Sequence, residues 1–260
     1  MINFDKMHGN GNDFIVLNSI EKDFTPSKAF IEKNSDRKFG IGFDQLILVK
    51  LPNKENSDFF IRFYNADGGE ADMCLNGIRC AVSYIWKHSF APKGSLVLET
   101  NKKTVICKPS GKNIQASFQM PLEIADQKLH SSIKKHLKDE KFFIVDAGNK
   151  HLCIKKRNIK KEDLNSLYLK LEKIIKPYKI NLSIFNQSKE LVEIRTYENG
   201  VGETLSCGSA SASVASLCLG GKINKVTVKS SGGEIKFSKS NDDILMTGPS
   251  AHIFSGDIDE

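Results

Sequence analysis

Two cysteines, Cys74 and Cys207, each follow a glycine-rich turn and directly precede a helix-like run of small or apolar residues. A helix start presents free backbone N–H groups and the positive end of the helix dipole. Such a position lowers the pKa of a thiol, and it also binds anions such as a carboxylate. The sequence therefore predicts two reactive thiols, each beside an anion-binding turn.

The two cysteines lie at equivalent positions of an internal repeat. The segment from Tyr64 to Cys74 matches the segment from Tyr197 to Cys207: both begin with tyrosine, share a Gly-Glu pair and end with cysteine, at a shift of 133 residues (207 − 74). Similar strands and helices flank both segments, including the predicted helices Ile78–Trp86 and Ala210–Leu219. The pattern predicts two copies of one α/β unit, and Gly11 and Gly148 begin a further matching pair of segments.

Two related copies would place equivalent residues opposite each other at a domain interface, where ligand clefts are common. Two facing thiols suit the inversion of a carbon centre, in which one thiolate removes a proton and the other thiol delivers one to the opposite face. Because an amino-acid α-proton is weakly acidic, the charge that develops on the carboxylate needs preorganised N–H donors. The residues thus favour a cofactor-independent amino-acid epimerase.

Length and composition fit a globular enzyme. The chain has 260 residues, 40% of them hydrophobic, which is enough for one large or two small cores. We expect no membrane span, because no apolar run approaches about 20 residues, and no secretory signal, so a cytoplasmic protein is expected. The formal charge of +7 is compatible with nucleic-acid binding, but the lysines are scattered, which favours a solvated surface.

The remaining cysteines carry no metal or disulfide pattern. None of the six cysteines forms a C-x-x-C pair, and no histidine lies at zinc-finger spacing from them. We therefore expect no metal and no disulfide framework. Cys107, Cys153 and Cys218 are interpreted as structural thiols that pack in the interior.

Several motifs together resemble the diaminopimelate epimerase family. They are the segments 6–14 (KMHGNGNDF), 40–45 (GIGFDQ), 63–68 (FYNADG) and 200–209 (GVGETLSCGS), in the order in which the family has them. The resemblance covers essentially the whole chain. It implies an α/β (α+β) fold of two pseudo-symmetric domains, each a curled mixed sheet around a central helix. It also implies that the last strand, near Ala251 to Asp257, returns to the first domain.

The predicted domains are residues 1–117 with 250–260 and residues 118–249, with a boundary near Pro121, where a proline interrupts the strand pattern. The resemblance further implies a homodimer that uses neither pyridoxal phosphate nor a metal. It implies epimerisation of LL-2,6-diaminopimelate, a precursor of lysine and peptidoglycan, to the meso form.

The resemblance also assigns residue roles. It implies that Cys74 and Cys207 are the acid and base, that His151 lies beside the thiols and that Glu198 lies near the reacting amino group. Side chains that bind the polar ends of the substrate are implied at Asn12, Gln45, Asn65, Asn149 and Asn181. Backbone donors at the two helix starts are implied at Leu75, Asn76, Gly208 and Ser209.

Three positions depart from the family pattern. Leu75 stands where glycine is usual, Lys150 where proline is usual, and Asn199 where an arginine usually pairs with the distal carboxylate of the substrate. A neutral amide does not replace a bidentate arginine contact at equal strength. The departures leave open a racemase for a different amino acid. A binding protein that has lost catalysis and a thiol-redox role are further alternatives.

Overall fold

The chain forms two compact units, and each has its own core. The computed structural model describes residues 1–259, and the chain divides into Met1–Phe118 with Thr247–Glu260 (unit 1) and Gln119–Met246 (unit 2). Mixed sheets and helices make up both units, so the α/β fold class is confirmed. Within residues 1–259, every helix falls short of the length and apolar character that crossing a bilayer requires.

Unit 1 is a mixed sheet with two helices. Its elements are β1 (Ile2–Gly9), β2 (Asn12–Ser19), α1 (Lys28–Ser35), β3 (Gln45–Lys50), β4 (Phe59–Asn65), β5 (Glu70–Ala71), α2 (Leu75–Lys87), β6 (Leu96–Glu99), β7 (Thr104–Ser110) and β8 (Asn113–Gln119). Near the end of the chain, β18 (Ala251–Ile258) pairs antiparallel with β1. Parallel pairing joins β2 to β3 and β4 to β6, whereas β1–β2, β3–β4, β6–β7 and β7–β8 are antiparallel.

The elements of unit 2 begin with a strand and a helix that have no counterpart in unit 1 and then repeat its order. They are β9 (Leu122–Glu123), α3 (Gln127–Leu137), β10 (Phe142–Asp146), β11 (Lys150–Lys155), α4 (Leu164–Ile175), β12 (Asn181–Ser188), β13 (Leu191–Glu198), β14 (Gly202–Thr204), α5 (Gly208–Cys218), β15 (Lys225–Ser230), β16 (Gly233–Ser240) and β17 (Asp243–Gly248). Short 3-10 turns cover Ile159–Lys161 and Lys176–Tyr178. Here β11–β12 and β13–β15 are the parallel pairs, which match β2–β3 and β4–β6 of unit 1.

The helices α2 and α5 are the most buried of the five. Ten of the thirteen residues of α2 and nine of the eleven of α5 are buried. A helix that is apolar or small on nearly every side is stable only when it is enclosed, so these sequences place α2 and α5 in the interior of their units. Each helix begins directly after one of the two cysteines, which fixes the place of both thiols.

Candidate active site

Cys74 is the N-cap of α2 and belongs to a polar cluster in unit 1. Its Sγ accepts a hydrogen bond from the Gly77 N–H at 3.4 Å, so the thiol satisfies one of the free donors of the first turn. Sγ also lies 3.6 Å from Asn12 Oδ1, to which the thiol donates. Asn76 Nδ2 donates to the same oxygen at 3.4 Å. We call Asn12, Cys74 and Asn76 the Cys74 cluster.

Two further amide side chains of unit 1 form a separate pair. Gln45 Nε2 donates to Asn65 Oδ1 at 2.8 Å, across the β3–β4 register in which these two residues are partners. The other amide oxygen, Gln45 Oε1, is buried without a hydrogen-bond partner within residues 1–259. Asn12 connects the two groups, because its Nδ2 donates to Asp44, the residue before Gln45, at 2.9 Å. A buried oxygen without a partner is unusual and is explained if a ligand donates to it.

Cys207 is the N-cap of α5 and lies in a different environment from Cys74. Its Sγ is 3.4 Å from Glu198 Oε2 and 3.4 Å from Ser209 Oγ. Burial raises the pKa of the Cys207 thiol well above its usual value, and the nearby Glu198 carboxylate raises it further. Glu198 is itself held by the Thr204 hydroxyl, which donates to Oε1 at 2.8 Å. We call His151, Glu198, Thr204, Cys207 and Ser209 the Cys207 cluster.

His151 is fully buried in the Cys207 cluster. Its Nε2 is 2.9 Å from Ser209 Oγ, the same hydroxyl that contacts the Cys207 thiol. Burial lowers the pKa of His151 to about 3, against the opposing effect of the Asp146 carboxylate. The imidazole is therefore neutral at pH 7. Its Nδ1 is buried and has no hydrogen-bond partner in the described part of the chain, so it is a second polar atom available to a ligand.

A neutral buried histidine predicts a loss of stability in acid. The unfolded state takes up a proton near pH 6.5 and the folded state only near pH 3, so the stabilisation is complete above 6.5 and is lost as the pH falls. We expect wild type to lose about 3 kcal/mol more than His151→Gln in free energy of unfolding between pH 6.5 and 4, measured by urea denaturation. The exposed-site control His136→Gln keeps the wild-type slope, and equal slopes for all three proteins would contradict the prediction.

Asn199 directly follows Glu198 at the end of β13. Its backbone N–H donates to Asn181 Oδ1 at 2.9 Å, and its side-chain Oδ1 accepts from the Tyr168 hydroxyl at 2.9 Å. The Tyr168 ring stacks on Tyr197, with ring centroids 4.1 Å apart. Since the tyrosine donates to Oδ1, the Nδ2 amino group faces the other way, with two N–H donors to offer.

The structure brings most of the predicted site residues into these groups. His151 and Asn181 are also register partners in the parallel pair β11–β12. Asn149 is exposed in the β10–β11 connection and Lys150 is exposed at the start of β11. The described bond of Asn149 uses its backbone carbonyl. Within residues 1–259, no three His, Cys, Asp or Glu side chains are close enough together to hold a metal ion.

Comparison with known protein families finds a match over most of the chain. A match to the family described as diaminopimelate epimerase covers residues 4–120 and 143–253. The diaminopimelate epimerase of Buchnera aphidicola subsp. Baizongia pistaciae is 37% identical, over 98% of this chain and 95% of its own. The chain belongs to the diaminopimelate epimerase family. The family consists of isomerases, so the predicted enzyme class is confirmed.

Solved structures show the same fold at low sequence identity. A phenazine biosynthesis protein of the PhzF family from Bacillus anthracis is 14% identical, with a TM-score of 0.73 over 99% of this chain and 98% of its own. A hydroxyproline epimerase from Agrobacterium vitis is 12% identical, with a TM-score of 0.68 over 98% of this chain and 91% of its own. The fold is thus shared beyond the diaminopimelate epimerase family.

Sequence reasoning missed four residues that support the clusters. Asp44 holds Asn12, Thr204 holds Glu198, Tyr168 holds Asn199 and Arg79 holds Asn76 through Oδ1 at 3.0 Å. Thr204 lies inside the repeated segment, and Arg79 is the one charge in the predicted helix from Ile78 to Trp86. A charged residue inside an apolar helix is a signal that would have singled out Arg79.

Leu75 occupies the first helical position after Cys74. Its side chain is 2% exposed and packs in the core of unit 1. Its departure from the usual glycine therefore adds buried apolar surface at the start of α2. In α5 the equivalent position is Gly208, so the two helix starts differ in packing and share only their backbone donors.

Proposed function

We propose that this chain epimerises LL-2,6-diaminopimelate to meso-diaminopimelate without a cofactor, using Cys74 and Cys207 as its two acid/base groups. The observation that carries the proposal is that both cysteines are N-caps of buried helices and that each thiol has a polar partner, Asn12 or Glu198. A Cys thiolate removes the α-proton, and the other Cys thiol reprotonates the opposite face. The product would supply lysine and peptidoglycan-precursor synthesis.

The helix starts supply what the developing charge needs. When the α-proton leaves, negative charge moves onto the substrate carboxylate, and N–H groups already aimed at that oxygen stabilise it without reorganisation. In the proposal the donors are the free N–H groups that follow Cys74 and Cys207, namely those of Leu75, Asn76, Gly208 and Ser209. The positive ends of the α2 and α5 dipoles act in the same direction.

The proposal gives the remaining site residues binding roles. Gln45 Oε1 is a buried acceptor and His151 Nδ1 is a buried ring nitrogen, and both lack protein partners within residues 1–259. The ammonium groups of the substrate would donate to the Gln45 oxygen. Glu198 would lie near the reacting amino group. Asn12, Asn65, Asn149 and Asn181 would hold the polar ends of the substrate, either directly or by fixing their neighbours.

The direct test is stereochemical. The purified chain is incubated with LL-diaminopimelate without added cofactor, and the stereoisomers are separated by chiral chromatography. We expect meso-diaminopimelate to accumulate to an equilibrium mixture. An unchanged LL isomer, under conditions in which another amino acid is racemised by the same preparation, would reject the proposed substrate.

A second candidate is racemisation of a different amino acid, and one observation favours it. Asn199 carries no charge, and the Tyr168 hydroxyl fixes its amide, so the distal contact is neutral. A neutral amide binds a carboxylate less strongly than an arginine does, and it fits an uncharged distal group as well. The same chromatographic assay, run on a panel of amino acids with neutral side chains, separates the two functions.

The Tyr168–Asn199 contact leads to a prediction about substrate binding. Tyr168→Phe removes the hydroxyl that orients the Asn199 amide, and one neutral hydrogen bond contributes about 1 kcal/mol. We expect KM for diaminopimelate to rise about 3- to 10-fold with little change in kcat, because the contact is remote from the reacting carbon. Tyr178→Phe, at an exposed tyrosine of the same unit, is the matched control. An unchanged KM in Tyr168→Phe would show that the oriented Asn199 amide does not bind the substrate.

We also propose that the protein is a homodimer, as the family resemblance implies. The exposed apolar side chains Ile253 and Phe254 of β18, 54% and 45% exposed, offer surface for such an association. Sedimentation equilibrium should give twice the chain mass of 29.0 kDa. A measured mass equal to that of one chain, at protein concentrations across the micromolar range, would contradict the proposed homodimer.

A further inference from the structure

Arg79 is a buried cation in the helix that begins at Cys74. It is 0% exposed, and its guanidinium donates to four neutral oxygens: Pro249 O at 2.9 Å, Leu75 O at 3.3 Å, Asn10 Oδ1 at 3.1 Å and Asn76 Oδ1 at 3.0 Å. Burying a charge is unfavourable unless hydrogen bonds and nearby charge compensate it. A fully buried arginine beside a predicted reactive thiol therefore calls for a functional explanation.

Two glycines make the space for this guanidinium. A Cβ on Gly9 would lie 3.1 Å from Arg79 Nη2, and a Cβ on Gly248 would lie 3.2 Å from Nε and 3.3 Å from Cζ. All three distances are tighter than ordinary contacts, so side chains at these positions would press on the guanidinium. The backbone on both sides is thus shaped around Arg79, which joins α2 to the β1–β2 turn and to the segment before β18.

Arg79 sets the orientation of the Cys74 cluster. A guanidinium only donates hydrogen bonds, so the Asn76 atom that faces it must be the amide oxygen. The Asn76 amino group is then turned towards Asn12 Oδ1, to which it donates at 3.4 Å. The same oxygen faces the Cys74 thiol at 3.6 Å. Arg79 therefore fixes the Asn76 amide, whose amino group holds the Asn12 oxygen that faces the Cys74 thiol.

The charge of Arg79 matters most for the thiol of Cys74. Three cysteines interact electrostatically with it, Cys74, Cys80 and Cys107. Burial raises the pKa of Cys80 and of Cys107 to about 12, so both stay protonated at neutral pH. Cys74 is only partly buried and already caps a helix start. A thiolate on Cys74 raises the pKa of Arg79, and by reciprocity the cation favours that thiolate.

The other ionisable groups near the Cys74 cluster are held in ion pairs or hydrogen bonds, and Asp44 also accepts from Asn12 at 2.9 Å. Asp44 and Asp13 both pair with Arg37, and Asp13 also pairs with Lys6. His8 accepts a hydrogen bond from the Gly11 N–H in the β1–β2 turn. Arg79 is therefore the cation that reaches the cluster from the side of α2.

We propose that Arg79 is a positioning residue for the reaction: it orients Asn76 and Asn12 around Cys74 and supplies the positive charge that favours the Cys74 thiolate. This inference rests on the proposed two-cysteine function. The second copy of the repeat has no such charge, since the position equivalent to Arg79 is the buried Ala212 (79 + 133). Cys207 instead has the Glu198 carboxylate beside it. The resting protein would then hold its thiolate at Cys74 and its thiol at Cys207.

The test is the pH dependence of Cys74 alkylation in the full-length chain. Iodoacetamide reacts with thiolates, and peptide mass spectrometry follows the modification of Cys74 alone. We expect Arg79→Gln to raise the midpoint of the Cys74 rate profile by about one pH unit or more, which makes alkylation at pH 7 about 10-fold slower. Arg62→Gln, which removes an arginine of unit 1 that pairs with Glu70, keeps the wild-type midpoint.

The variant Arg79→Lys separates the effect of the positive charge from the effect of the hydrogen bonds that the guanidinium makes. It keeps the cation but cannot reach all four acceptors, so we expect a midpoint close to that of wild type and a lower kcat with diaminopimelate. If circular dichroism shows that Arg79→Gln does not fold, the test uses Arg79→Lys alone. A midpoint of Cys74 alkylation that is raised by one pH unit in Arg79→Lys would overturn the proposal. A folded Arg79→Gln with the wild-type midpoint also overturns it. The alkylation assay needs no substrate. Its outcome therefore tests the role of Arg79 even if the chain does not epimerise diaminopimelate.

Discussion

Cys74→Ala and Cys207→Ala are each expected to lower turnover of LL-diaminopimelate by at least about a thousand-fold. In the proposed mechanism one thiolate removes the α-proton and the other thiol delivers a proton to the opposite face, so every turnover would use both thiols. A single general acid or base contributes roughly 10²- to 10⁴-fold. Initial rates of meso-diaminopimelate formation, measured at saturating substrate, give the comparison.

The control for this pair is Cys218→Ala, which removes the thiol at the other end of α5. Cys218 is 7% exposed, and burial raises its pKa to about 11, so it is protonated at neutral pH. We expect Cys218→Ala to keep turnover within about twofold of wild type. Turnover within tenfold of wild type in a folded Cys74→Ala or Cys207→Ala variant would reject a two-cysteine mechanism.

Glu198→Gln is expected to lower kcat/KM by about a hundred-fold. The Glu198 carboxylate lies 3.4 Å from the Cys207 thiol, and its negative charge helps to keep that thiol protonated. Glutamine preserves size and removes the charge, so the pKa of Cys207 should fall. In the proposed mechanism the Cys207 thiolate then becomes a weaker base for removing a proton in the reverse direction. Because the equilibrium constant of the reaction is fixed, kcat/KM must fall by the same factor in both directions.

Thr204→Val is the matched variant for Glu198. It removes the hydroxyl that donates to Glu198 Oε1 at 2.8 Å but leaves the charge in place. A smaller fall, about 3- to 10-fold, is expected because one hydrogen bond is lost. If Glu198→Gln and Thr204→Val lowered kcat/KM equally, Glu198 would act through its position and not through its charge.

The parts of the fold that follow from local pattern were predictable from the sequence. The positions of Cys74 and Cys207 directly before helices follow from a glycine-rich turn and a run of small residues. The helices begin slightly earlier than predicted: α2 begins at Leu75 and α5 at Gly208. Cap residues carry no apolar periodicity, which explains the difference of two or three residues.

The supporting contacts were not predictable, because they join residues far apart in the chain. Arg79 Nε meets the carbonyl of Pro249, 170 residues later, and Tyr168 reaches Asn199 across 31 residues. Sequence spacing on a helix indicates which face a residue occupies, but the partner comes from tertiary packing. The same reason explains why the different surroundings of Cys74 and Cys207 emerge only in the structure.

Asn199, which stands where the family usually has arginine, has an orientation that the sequence motif does not predict. The motif indicates that a charged distal contact is replaced by an amide, and it gives no orientation for that amide. The Tyr168 hydroxyl supplies the orientation, and it belongs to α4, which no motif contains. If Asn199 binds the substrate as proposed, substrate choice depends on a residue outside the segments that carry the family resemblance.

The most direct test of the two-cysteine mechanism is the distribution of deuterium during early turnover in deuterium oxide. With two bases, the thiol that donates carries solvent deuterium, whereas the proton taken from the substrate stays on the other thiol. We predict that meso-diaminopimelate formed at low conversion is deuterated at the inverted carbon while the recovered LL isomer keeps its protium, as read by NMR. Equal deuterium in the recovered substrate and in the product would contradict the mechanism, because it would mean that a single group exchanges the proton on both faces.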